Sequence, residues 1–174
     1  MENLRIETER LIITVFDESM VESVHENSLD EDIRRFVPDE VFETVEDARN
    51  TVSFLMGCYK EDTGPFVYPI LTKTNENIGY VQAMQTDEGW EIGYHIAKKH
   101  TGNGYASEAV KSFLPVIMKR LNIDKISGLC ALENVASCMV LEKCGFVLDY
   151  SGKGDYQGNT REICRYSYHL SDLR

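Results

Sequence analysis

At 174 residues the chain has the length of one domain, and 43% hydrophobic against 27% charged residues is the balance of a soluble globule. A formal net charge of −11 argues against non-specific binding to nucleic acid and against docking on an acidic membrane surface. No apolar run approaches the ~20 residues of a membrane span, and the opening MENLRIETERL has no apolar core of a signal peptide.

In chain order, Arg10 to Phe16 is rich in β-branched residues and reads as a first strand. Asp17 suits the cap of a helix reaching Ser28, with Met20, Val21 and Val24 on its apolar side. The charged run from Leu29 to Val37 suggests a short helix that Pro38 ends. Thr44 with Asp47 three residues on opens a further helix to Tyr59, whose stripe is Val45, Ala48, Val52, Leu55 and Met56. Phe66–Lys73 and Asn77–Gln85 flank the turn signal Thr74-Asn75-Glu76 and predict a hairpin. Asp87-Glu88-Gly89 then turns the chain into a third antiparallel strand, Trp90–Ala97.

A polar loop follows, Lys98-Lys99-His100-Thr101-Gly102-Asn103-Gly104, and then a helix to Leu121. Its apolar residues Ala106, Ala109, Val110, Phe113, Leu114, Ile117, Met118 and Leu121 keep helical spacing on one side. Pro115 inside it predicts a bend or a break, at a cost of about 3 kcal/mol. Gly102 and Gly104 stand where strand becomes helix, so backbone can approach a ligand and the first-turn N–H groups favour an anion. A tight turn without ligand is the plainer alternative. A P-loop is disfavoured because Tyr105-Ala106-Ser107 follows the last glycine, and a dinucleotide fingerprint fails at Ser107.

Lys125–Ala131 reads as a buried strand, and Asn134 as the cap of a helix to about Cys144, with Gly145 as its left-handed terminator. Phe146–Tyr150 and Arg161–Leu170 read as a closing pair of strands, and Ser151–Asn159 between them as a loop. The five cysteines are odd in number and lack CxxC spacing, so they read as free or buried thiols of a reducing compartment, which predicts the cytoplasm. The histidines show no metal-ligand spacing, and no metal is expected.

The strand EIGYHI, the loop-helix TGNGYASEA and the run ENVASCMVLEKCGF together resemble the GNAT acetyltransferases. With the opening Ile6-Glu7-Thr8-Glu9-Arg10-Leu11, they look most like the RimJ/RimL-like branch that modifies ribosomal-protein N-termini. The resemblance covers nearly the whole chain and implies one acetyltransferase domain over residues 1–174, of α+β class. Its fold is a three-layer α/β/α sandwich with a mixed, mostly antiparallel sheet that splays between its fourth and fifth strands. Here these are Trp90–Ala97 and Lys125–Ala131.

Family pattern places acetyl-CoA in that wedge. Its pyrophosphate lies on the backbone of Thr101, Gly102, Asn103, Gly104, Tyr105, Ala106 and Ser107, where Thr101 departs from the usual Gln or Arg. Tyr94, His95 and Ile96 on the splayed strand, Asn134 and Ser137 on the later helix, and Lys143 complete the implied cofactor contacts. Lys98, Lys99 and His100 add local positive charge.

Transfer to an amine needs a proton acceptor, oxyanion donors and a proton for the thiolate. Glu91, on the family's base-bearing strand, is the first candidate base, and His95, of the same strand parity, the second. Leu141 stands where relatives carry a tyrosine acid, and Ser137 is the implied substitute; capping of the helix by Asn134 and Ser137 is the structural alternative. The implied acceptor is a protein N-terminus or a small-molecule amine, and the implied state a monomer or homodimer. A catalytically silent acyl-CoA-binding module is the rival reading.

Overall fold

The computed structural model describes Met1 and residues 3–173. Within these residues eight strands form one sheet: β1 (Ile6–Glu7), β2 (Leu11–Ile13), β3 (Phe66–Thr72), β4 (Asn77–Thr86), β5 (Gly89–Ile96), β6 (Lys125–Ala131), β7 (Val147–Tyr156) and β8 (Asn159–His169). Their spatial order is β1-β2-β3-β4-β5-β6-β8-β7, antiparallel throughout except for β5 and β6. Among the described residues five α-helices accompany them: α1 (Val21–Ser28), α2 (Glu31–Phe36), α3 (Val45–Cys58), α4 (Tyr105–Leu121) and α5 (Val135–Lys143).

Strand alternation assigns the layers. Phe66, Tyr68, Val81, Ile92 and Tyr94 share one face, and Val67, Tyr80, Gln82, Met84, Glu91 and His95 the other. On the first face α4 packs its stripe, with the Phe113 ring 5.6 Å from that of Tyr68. The opposite face is covered by α1 and α3, which also pack on each other. This is the expected three-layer arrangement with a splayed sheet; the short β1 makes the splayed pair the fifth and sixth strands in the present numbering. Phe113 is fully buried, so Phe113→Ala should cost about 3–5 kcal/mol, read as a lower urea midpoint.

Local signals explain the element ends. Thr44 and Asp47 form the predicted reciprocal cap at 3.1 and 3.0 Å, and Asp17 caps a 3-10 turn at Glu18–Met20 ahead of α1. Pro115 neither ends nor breaks α4, because it lies on the exposed face, where water can reach the carbonyl it leaves unpaired.

Ser151–Asn159 is not a loop. Residues 151–156 belong to β7 and Asn159 opens β8, with a tight turn at Gln157-Gly158 between them, whose φ values of 52 and 76 suit a two-residue hairpin. The glycines that suggested a loop serve the pairing instead: a Cβ on Gly154 would collide with the Ile163 side chain across the ladder.

Candidate active site

The sheet opens where β5 and β6 part. They pair only at Glu91 with Ser127 and Ile92 with Gly128, after which both continue without a ladder between them. Ala97 N–H donates to the Ile78 carbonyl at 2.8 Å, so the hydrogen-bonded pairs of β4 and β5 fall at 97, 95, 93 and 91. By the same alternation Tyr94 and Ile96 turn their N–H and C=O groups away from β4, into the wedge.

A cavity of about 330 Å³ runs through this split. Glu91 and His95 line it from one face of the sheet, and Tyr94, Asn134, Ser137 and Leu141 from the other. Among the described residues no hydrogen bond or ion pair holds the Glu91 carboxylate. Burial pushes its pKa up to about 7, against a downward pull from Arg165 and with a further push from Glu88. The Arg165 guanidinium is itself 2.7 Å from Glu88.

His95 is differently placed. Its Nε2 lies 3.2 Å from Asp30 Oδ2, which also accepts from the Lys98 N–H at 2.8 Å. Burial lowers the imidazole pKa, and the Asp30 carboxylate opposes that shift.

Across the wedge Asn134 caps α5, its Oδ1 accepting from Ser137 N–H at 3.3 Å. The Tyr94 hydroxyl spans the gap, donating to the Ser137 carbonyl at 2.8 Å and lying 3.1 Å from Ser137 Oγ. Burial raises the Tyr94 pKa. Leu141, in the position of the missing tyrosine, is buried at 1% exposure and can supply no proton. Lys143 is exposed at the far end of α5 and does not line the cavity.

The glycine loop lies at the N-terminus of α4. Thr101 to Gly104 are exposed, and Gly102 and Gly104 take φ values of 80 and 78. Gly104 occupies the cap position and offers no side-chain acceptor, so the N–H groups of Tyr105, Ala106 and Ser107 face outward without helical partners. Such a cradle suits a pyrophosphate. The loop holds its own shape, with Thr101 Oγ1 donating to Lys98 O at 2.8 Å and Asn103 Nδ2 to His100 O at 3.1 Å.

Residues 10–147 match the model of the Acetyltransferase (GNAT) domain. The chain belongs to the GNAT acetyltransferases. It is an acyltransferase by that membership, and several of its relatives are named N-acetyltransferases. The uncharacterized N-acetyltransferase YnaD of Bacillus subtilis is 29% identical over 145 residues, 82% of each chain. A GNAT-family acetyltransferase of Bacillus anthracis superimposes with a TM-score of 0.81 at 29% identity, over 95% of this chain and 98% of that one. RimL, a ribosomal L7/L12 alpha-N-protein acetyltransferase solved with coenzyme A, shares the fold with a TM-score of 0.80 at 20% identity, over 96% and 98%.

Two features of this GNAT chain escaped the sequence reading. Arg10 braces the glycine loop: its Nη1 donates to Asn103 O at 2.8 Å, its Nε to Glu108 at 2.7 Å, and its guanidinium lies 4.6 Å from the Tyr105 ring. Thr8 Oγ1 joins the brace by donating to Glu108 at 2.6 Å. The signal was present in the opening Thr8-Glu9-Arg10, but nothing local links it to residues about a hundred positions on. The second is Glu40, in the 3-10 turn Pro38–Glu40, which accepts from the Tyr80 hydroxyl and from Gln82 Nε2 at 3.4 Å. It borders the same cleft as Glu91, and burial raises its pKa.

Proposed function

We propose that residues 1–174 form one N-acetyltransferase domain that moves the acetyl group of acetyl-CoA to a primary amine in a direct ternary complex. The observation that carries the proposal is Glu91: a carboxylate without a partner among the described residues, poised near pH 7, beside a split sheet whose free N–H groups point into the gap. Acetyl-CoA, when bound, supplies the acyl group as a thioester. The exposed loop Thr101–Gly104 and the first turn of α4, with Lys98 and Lys99 nearby, suit its phosphates, and Asn134 suits the amide-bearing arm.

Glu91 takes a proton from the incoming ammonium, freeing the nitrogen lone pair that forms the new N–C bond. The N–H groups of Tyr94 and Ile96 stabilise the negative charge that gathers on the carbonyl oxygen. As the C–S bond breaks, the excess proton on nitrogen reaches the sulfur, with the Ser137 hydroxyl as relay and the Tyr94 phenol beside it. His95, anchored by Asp30, positions this wall and is the reserve base. The RimJ/RimL-like opening and the odd, unspaced cysteines support a cytoplasmic enzyme related to that branch.

The test is thiol release from acetyl-CoA with a panel of amines. Release that depends on an amine supports transfer; tight acetyl-CoA binding without release from any amine makes the chain a silent acyl-CoA module. Ser137→Ala should lower kcat by about tenfold, less than a full general-acid loss of ~10²–10⁴ because the Tyr94 phenol remains. Raising the pH should restore little of it, since the defect lies with the thiolate and not the amine. A silent Ser137→Ala variant assigns that residue to helix capping alone.

A further inference from the structure

A second cavity of about 350 Å³ lies against the cleft, between the sheet and helices α1 and α3. Its wall is mainly apolar: Val24, Ile33, Phe42, Phe54, Leu55 and Val67. Glu40, Tyr80, Gln82, Met84 and His95 line both spaces, so the two adjoin and Glu40 stands at their junction. The partners of Glu40 are neutral donors, a phenol and an amide, and no cationic side chain pairs with it among the described residues. A partly buried carboxylate held by neutral donors is a seat awaiting a positive charge.

We propose that the acceptor is a monoamine with an aliphatic or aromatic body, seated in this cavity while its ammonium passes Glu40 to reach Glu91. The inference rests on the acetyl-transfer reading and adds the substrate class. Size agrees: a dry cavity of about 150 Å³ accepts benzene, so the larger space here takes a phenyl ring and its linker. Chemistry narrows the choice further. Asp39, beside Glu40, is the wall's other carboxylate, so a polyamine's remaining length, and a peptide's polar backbone, would lie against Phe42, Leu55 and Val67, which offer no hydrogen-bond partner. Burial of an apolar body instead releases water from both surfaces.

The experiment compares kcat/KM for 2-phenylethylamine, hexylamine, methylamine, spermidine and a short peptide with a free N-terminus. Phenylethylamine and hexylamine should exceed spermidine and the peptide at least tenfold. Thr51→Trp, which fills the cavity from α3, should reduce kcat/KM for phenylethylamine at least ten times more than for methylamine. Phe54→Ala, at a 60% exposed lip residue and therefore safe for folding, should raise the phenylethylamine KM. Glu40→Gln should raise that KM about tenfold with kcat changed less than twofold.

A preference for spermidine or peptide, or a folded Thr51→Trp with unaltered selectivity, overturns the proposal while leaving acetyl transfer intact. Calorimetry of phenylethylamine on the CoA-loaded protein separates the two ideas. Binding that Thr51→Trp abolishes, without turnover of any amine, keeps the cavity and overturns acetyl transfer; absence of both binding and turnover overturns the cavity as an amine site.

Discussion

Glu91→Gln is expected to lower kcat by about 10²–10⁴-fold while the protein still binds acetyl-CoA, the loss typical of a missing general base. The pH profile makes the assignment specific. A carboxyl pushed up to about 7 is protonated and idle below that pH and becomes a base above it. Wild-type kcat/KM should therefore rise with pH to near 7 and then level, because the ionised base meets an alkylammonium that stays charged up to ~10.4. In Glu91→Gln the amine must lose its proton to water before it binds productively. The variant's kcat/KM should then keep climbing through the plateau region and recover part of the loss by high pH. Near-normal turnover of the variant across the range moves the base elsewhere, with His95 next in line.

The cause of the raised pKa also predicts which neighbours tune it. Burial is the leading contribution, and Arg165 opposes it from a position fixed by its 2.7 Å contact with Glu88. Removing Glu88 takes away a like charge and also frees the guanidinium to act on Glu91. Both changes favour the carboxylate, so Glu88→Gln should move the rising limb of the profile to lower pH.

Geometry was legible where it is local in sequence. TGNGYASEA carries its own shape, since two left-handed glycines and a helix start without a side-chain cap leave first-turn N–H groups open within seven residues. Thr44 and Asp47 likewise form their cap across three positions. Parity along β5 put Glu91 and His95 on one face from sequence alone, and the structure keeps them there.

What was hidden depends on distant partners. Glu40 stands in an undistinguished acidic stretch, and only Tyr80 and Gln82, forty residues on, turn it into a half-buried carboxylate. The Gly152 to Gly158 run misled for a related reason. Glycine marks loops by local propensity, but Gly154 is small because Ile163 of the neighbouring strand occupies the space a Cβ would need. Cross-strand packing overrode the local signal.

Gly104→Val tests the cofactor half of the site. Gly104 holds φ at 78, a conformation that costs an L-residue about 1–2 kcal/mol and a β-branched one more. Space within the protein is not the obstacle, because a Cβ there has as its nearest neighbour the flexible Arg10 guanidinium at 3.6 Å. Folding should therefore survive with a melting temperature lower by several degrees, at ~2–4 °C per kcal/mol for a domain of this size. The methyl groups would instead stand over the open N–H groups of Tyr105, Ala106 and Ser107. Hydrogen bonds to a charged group contribute ~1.5–3 kcal/mol each. Losing one or two of them should weaken acetyl-CoA binding by about 10²-fold or more, read by calorimetry. Arg10→Ala should weaken it less, because Arg10 braces the loop through Asn103 and Glu108 without itself forming the cradle. A folded Gly104→Val variant that binds acetyl-CoA as the wild type does would mean that the phosphates rest somewhere other than this loop.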